Sequence, residues 1–125
     1  MEQHVIDWFE IPAADFDRAV KFYSTVVDEE LYTQEMNGAK MAFMPFNPEK
    51  PGVSGAVVAA EGYTPSADGL HVYFNCGEDM APWIERIKAA GGEIVMPKTL
   101  VREDIGYIAR FRDSEGNVLS LHSKK

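Results

Sequence analysis

The chain carries one cysteine, Cys76, in 125 residues. A single thiol excludes an internal disulfide and a cysteine-rich zinc cluster, and it suits a reducing compartment, so a cytoplasmic location is expected. No run approaches the ~20 apolar residues that a membrane-spanning helix needs. The opening Met1-Glu2-Gln3-His4 lacks the basic and apolar regions of a secretory signal. Basic side chains are few as well: 12 against 20 acidic ones, a net charge of −8. That sign repels phosphate backbones and anionic lipid, so neither nucleic acid nor a membrane is an expected partner. No nucleophile elbow, phosphate-binding loop or Cys-x-x-Cys pair occurs. A small molecule or another protein is left as the expected partner.

What remains is an ordinary globular balance, 46% hydrophobic and 26% charged, at the length of one domain. The first strand is expected over Val5–Ile11, with Asp7, Phe9 and Ile11 on one face and Ile6, Trp8 and Glu10 on the other. Pro12 ends it. Asp15 is placed to cap a helix whose apolar stripe is Phe16, Ala19, Val20 and Tyr23. Extended runs near Glu30–Glu35, Lys40–Pro45 and Val53–Ala60 follow, the first two separated by the hairpin signal Asn37-Gly38. Turn formers then fill Glu61–Gly69.

After that connector the pattern restarts. A strand is expected over Leu70–Cys76, then a helix opened by Asp79 and Pro82, striped by Met80, Trp83, Ile84 and Ile87, and closed by Gly91-Gly92. Runs near Glu93–Met96, Tyr107–Arg112 and Val118–His122 complete it, the last two joined by the tight turn Asp113–Asn117. The order strand, helix, three strands occurs twice, which predicts an α+β domain of two βαβββ modules, residues 1–61 and 70–125, joined by 62–69.

The run Phe9-Glu10-Ile11-Pro12 with Asp15-Phe16-Asp17-Arg18-Ala19-Val20-Lys21-Phe22-Tyr23 resembles the first strand and helix of the vicinal oxygen chelate superfamily, which includes glyoxalase I, bleomycin-resistance proteins and extradiol dioxygenases. Gly62-Tyr63-Thr64-Pro65-Ser66, Ala89-Ala90-Gly91-Gly92 and Asp113-x-Glu115-Gly116-Asn117 extend the likeness over nearly the whole chain, with glyoxalase-like bacterial proteins as the nearest kind of relative. The resemblance implies two curled mixed sheets around a cavity, helices outside, a homodimer, and a metal held by the first and last strands of both modules.

On that pattern the four metal positions fall on Trp8, on the strand Gly55–Val58, on His71 and on Ser120. An indole offers an N–H and no lone pair for a cation, Gly55–Val58 has no carboxylate, and serine is a weak ligand. Only His71 matches, so no metal and no other cofactor is expected at those positions. A displaced divalent site from His71, His122 and Glu10 is the alternative, since Glu10 and His122 lie one pleat, ~6.6 Å, beyond Trp8 and Ser120; His4 lies ~13 Å along its strand, too far.

The cavity-facing set is expected to be Trp8, Glu10, His71, Tyr73, Asn75, Ser120 and His122, a mix of aromatic faces and directional polar groups suited to a small organic ligand. Trp8 either stacks on a planar ligand or fills core space. Glu10 and His71 are the candidate acid and base. Cys76 reads as buried and inert. Arg110 and Arg112 reach an acidic ligand only if hairpin register turns them to the cavity. Three functions follow: metal-independent small-molecule binding, a metal-dependent lyase, isomerase or dioxygenase of glyoxalase type using His71, or a non-catalytic interaction domain.

Overall fold

A computed structural model of the chain describes residues 3–125. In order they form β1 (Trp8–Pro12), α1 (Phe16–Val26), β2 (Tyr32–Met36), β3 (Ala39–Phe43), β4 (Ser54–Ala59), β5 (Tyr73–Asn75), α2 (Ala81–Ala89), β6 (Glu93–Arg102), β7 (Gly106–Arg112) and β8 (Val118–Ser123). The strands make two mixed four-stranded sheets, ordered β1-β4-β3-β2 and β5-β8-β7-β6. Each has one parallel pair, β1 with β4 and β5 with β8, and antiparallel partners beyond it. The duplication expected from the sequence is therefore repeated strand for strand, and neither sheet closes into a barrel.

Most strand boundaries shift from the sequence expectation, and the largest shifts fall in β1, β5 and β6. β1 begins at Trp8 because its parallel partner β4 starts at Ser54, and it runs through Pro12, which pairs with Val58 at an edge where a missing N–H is tolerated. β5 covers only Tyr73–Asn75, although Val72 and Cys76 still bond to Ser120 and His122. β6 does not stop at Met96 but continues through Pro97 to Arg102, with register shifts on either side of Met96. It is an edge strand, so Pro97 falls where the ladder is already irregular.

Local chemistry explains the helix ends. Asp15 accepts a hydrogen bond from Arg18 N at 3.1 Å, the expected N-cap. For α2 the capping carboxylate sits one residue further out: Met80 is the cap residue, and Asp79 Oδ1 accepts from Ala81 N at 2.9 Å. At its other end Gly91 N bonds to Lys88 O and Gly92 N to Ile87 O, with Gly91 at φ +91°, a left-handed turn that glycine adopts without a Cβ penalty. The Asn37-Gly38 pair has φ of +51° and +80°, as a two-residue β2–β3 turn of the primed type requires.

The two modules share one core. Phe22 stacks on Phe111 at 6.3 Å, and Tyr23 and Phe9 meet Phe74 at 6.2 and 6.1 Å, so aromatic rings of module one interlock with those of β5 and β7. Burying each such ring contributes roughly 1.5–3 kcal/mol. Polar bonds cross the same junction. Glu115 Oε1 accepts from Ala14 N and Asp15 N at 2.9 and 2.7 Å, its Oε2 accepts from Arg18 Nε at 2.7 Å, and Asn117 Nδ2 donates to Pro12 O at 2.8 Å. Buried Tyr23 donates to Asp113 Oδ2 at 2.6 Å. Burial alone works to raise the Glu115 pKa, but bonds from Arg18, the Asp15 amide and Ser114 outweigh it and hold the carboxyl at about 2.

Candidate functional site

Strand alternation sends one set of side chains from each sheet to the helices and the other to the helix-free face. In module two, Phe74, Ala109, Phe111, Leu119 and Leu121 join the core under the helices. The register then fixes the opposite face as two rows. One runs Tyr73, Ser120, Arg110, and the next runs Asn75, His122, Ile108, each aligned across β5, β8 and β7. Arg110 thus shares the face of Ser120 and His122, which settles the hairpin register that the sequence left open. Arg112 lies on that face too and ion-pairs with Glu93 Oε1 at 2.5 Å across β6.

A cavity of about 500 Å³ opens on this face, lined by Tyr73, Asn75, Val101, Ile105, Ile108 and His122. Its walls are mainly apolar, with a phenol, an amide and an imidazole at defined places, a composition that suits a small organic molecule. His122 Nε2 donates to Ile105 O at 2.6 Å, which ties β8 to the β6–β7 turn. Val101 and Ile105 were missed by sequence reasoning because β6 was ended at Met96. The short apolar run Thr99-Leu100-Val101 before Arg102–Gly106 is the signal that carries them. A second depression, of about 350 Å³, lies on the loop near Pro45–Val53.

The corresponding face of module one is different. Trp8, 42% exposed, packs against Phe43 at 6.1 Å, and Tyr32 stacks on Phe43 at 6.1 Å. Both oxygens of Glu10 are engaged: Trp8 Nε1 donates to one at 3.3 Å and Tyr63 Oη to the other at 2.6 Å. The bond to Glu10, and then its charge, raise the Tyr63 pKa. Trp8 is therefore a wall of this face rather than a core plug.

His71 lies elsewhere. It is exposed and precedes β5, so it neither lines the cavity nor stands on the strand where it was expected. Among the described residues no hydrogen bond joins it to Glu10, whose partners are Trp8 and Tyr63. Of the sequence candidates, the fold brings Tyr73, Asn75, Ser120 and His122 together in module two and Trp8 with Glu10 in module one. Cys76 is buried, and burial pushes its thiol up to about 12, as an inert position requires.

A family model matches residues 5–121, that of the Glyoxalase/Bleomycin resistance protein/Dioxygenase superfamily. The chain belongs to this superfamily. No curated protein sequence matches the chain. Solved structures share the glyoxalase-like fold. A glyoxylase/bleomycin resistance protein/dioxygenase domain from Frankia sp. EAN1pec aligns with a TM-score of 0.73 and 20% identity, covering 99% of this chain and 100% of that one. An antibiotic-binding protein from Streptomyces sp. CB03234 aligns at 0.64 and 21%, covering 100% and 99%. Glyoxalase I from Zea mays aligns at 0.67 and 22%, covering 93% of this chain but only 42% of the maize enzyme, so the chain spans less than half of that protein.

The metal positions that the superfamily implies do not fit a cation here. The Trp8 N–H points at Glu10, the β4 residues beside Glu10 and Pro12 are Ala56 and Val58, His71 stands off the strand, and Ser120 offers only a buried hydroxyl. Among the described residues no three His, Cys, Asp or Glu side chains converge, the displaced set of Glu10, His71 and His122 included.

Proposed function

We propose that this glyoxalase-like protein binds a small organic molecule on the helix-free face of module two and does so without a metal. The observation that carries this reading is the 500 Å³ cavity with its apolar walls and its Tyr73, Asn75 and His122. The antibiotic-binding relative of the same fold supports it. The alternative, a metal-dependent lyase, isomerase or dioxygenase, has less behind it, because His71 does not line the cavity and the ligand positions hold Trp8, Ala56 and Ser120. An interaction domain without a ligand leaves the cavity unexplained.

The binding state is a homodimer in this proposal. Trp8, Tyr32 and Met36 are exposed apolar side chains on the helix-free face of module one, and a second copy would cover them. No helix among the described residues is long and apolar enough to cross a membrane, and the one unpaired, buried thiol fits a cytoplasmic setting.

A thermal-shift screen of aromatic and aliphatic metabolites tests the main claim. Ligands are expected to raise the melting temperature of the native chain but not of Val101→Glu, which puts a carboxylate on the cavity wall at a half-exposed position. A screen in which Val101→Glu responds like the native protein places binding elsewhere. Metal analysis of untagged protein, with melting in chelator, tests the rest: stoichiometric metal and a collapse in chelator would return the enzyme reading.

A further inference from the structure

Two polar atoms on the helix-free faces are buried with no hydrogen-bond partner among the described residues: Arg110 Nε and Ser120 Oγ. They belong to residues directly opposite each other on β7 and β8, with Tyr73 on the far side of Ser120 in the same row. Ser120 is 1% exposed. An unsatisfied buried donor costs about 1–3 kcal/mol, and more when charged. Two such donors side by side are an unusual arrangement for a fold whose other buried polar groups, Tyr23, Asp113 and Asn117, are all paired.

We propose that Arg110 and Ser120 form a carboxylate-binding subsite beside the module-two cavity, so that its ligand is an organic acid with an apolar or aromatic body. This rests on the cavity being the binding site. The row of Arg110 and Ser120 lies one pleat, ~6.6 Å, from the row of Ile108 and His122 that lines the cavity, and Tyr73 borders both. A guanidinium N–H and a hydroxyl on directly opposite residues, both without a partner among the described residues, match in number and kind the two oxygens of a carboxylate. One cation balances one negative charge, which favours a carboxylate over a doubly charged phosphate against walls of Val101, Ile105 and Ile108. The chain's net charge of −8 gives an anion no long-range attraction, so recognition has to be local. Arg112, the neighbouring cation on this face, is already paired with Glu93.

The test titrates benzoate, its neutral analogue benzamide, and inorganic phosphate into the native protein and into Arg110→Lys, Arg110→Met and Ser120→Ala, followed by NMR with the Arg110 Nε–H resonance as reporter. Benzoate is expected to bind at least tenfold more tightly than benzamide and to move the Arg110 Nε–H signal. Arg110→Met is expected to weaken benzoate about tenfold and Ser120→Ala severalfold, with benzamide unchanged by either. Arg110→Lys keeps the charge and the apolar stem but loses the Nε–H, and is expected to recover less than half of the loss; it also serves if Arg110→Met does not fold. Equal binding of benzoate and benzamide, or benzoate binding indifferent to Arg110 and Ser120, overturns the subsite while leaving the cavity reading intact. Phosphate bound more tightly than benzoate overturns the choice of a carboxylate. If neither aromatic probe binds at millimolar concentration, the subsite is overturned, and the cavity reading stands or falls on the thermal-shift screen.

Discussion

The two modules have the same strand order and the same pairing, yet their helix-free faces hold opposite chemistry. Module one presents Trp8, Tyr32 and Phe43 with a carboxylate whose oxygens are already taken by Trp8 and Tyr63. Module two presents a cavity beside a guanidinium Nε–H and a hydroxyl that have no partner among the described residues. Facing the helices, both modules use the same kind of buried apolar residues, Phe9, Ile11 and Val57 in one, Phe74, Phe111 and Leu121 in the other. The repeat is thus preserved where packing requires it and has diverged where packing does not. One face of each sheet maintains the fold, and the other was free to take up different work.

The largest expected effect tests whether the two halves are one cooperative unit. Phe74 touches Phe9, Tyr23, Trp83 and Phe111, so Phe74→Ala should cost about 3–5 kcal/mol in denaturant unfolding. Circular dichroism and tryptophan fluorescence should still lose signal in a single shared transition. Separate transitions for Trp8 and Trp83 would mean that the modules are energetically independent.

Glu115 tests the polar half of the same junction. Its carboxyl is held at about 2 against an ordinary value of 4.5, so a depressed folded-state pKa stabilises the protein above the unfolded value. That contribution is complete above roughly pH 5 and is lost as pH falls from 4.5 towards 2. Since the Arg18 partner is about half exposed, solvent screening discounts it to on the order of 2 kcal/mol. Glu115→Gln should therefore lower stability by about that amount at pH 7 and far less at pH 2, measured by urea unfolding at both values.

A smaller effect contrasts the two kinds of face directly. Trp8→Ala removes a side chain that is 42% exposed and should cost about 1 kcal/mol, whereas Leu121→Ala beneath module two should cost about 2–5 kcal/mol. Equal losses would make Trp8 a core residue after all. The smallest effect concerns Glu10. Because its hydrogen bond and charge raise the Tyr63 pKa, Glu10→Gln should return that phenol towards 10, read by NMR titration of the tyrosine ring, with little change in melting.

Much of this was legible in the residues themselves. The spacing of Asp15, Phe16, Ala19, Val20 and Tyr23, the Asn37-Gly38 and Gly91-Gly92 signals and the restart after Gly69 report on backbone choices made within a few residues, where capping, turn geometry and side-chain period act. Both helices and the repeated strand order followed from them. The misplaced ends of β1, β5 and β6 have a different origin: a strand lasts as long as its partner does, and β4, β8 and β7 set those limits from a distance in sequence. His71 illustrates the cost. Its apolar neighbours read as a strand, but the ladder with β8 begins its paired residues at Tyr73, so the imidazole stays outside.

From the sequence alone came the duplicated α+β scaffold, the isolated thiol of Cys76 and the poor set of metal ligands, because each depends on residue type or local period. Only the tertiary structure could decide which face Arg110 takes, that it stands opposite Ser120, that β6 extends to wall the cavity with Val101, and that Glu10 is already engaged. Those are matters of register and long-range pairing. A shift of one residue would turn Arg110 to the other face without changing the local pattern.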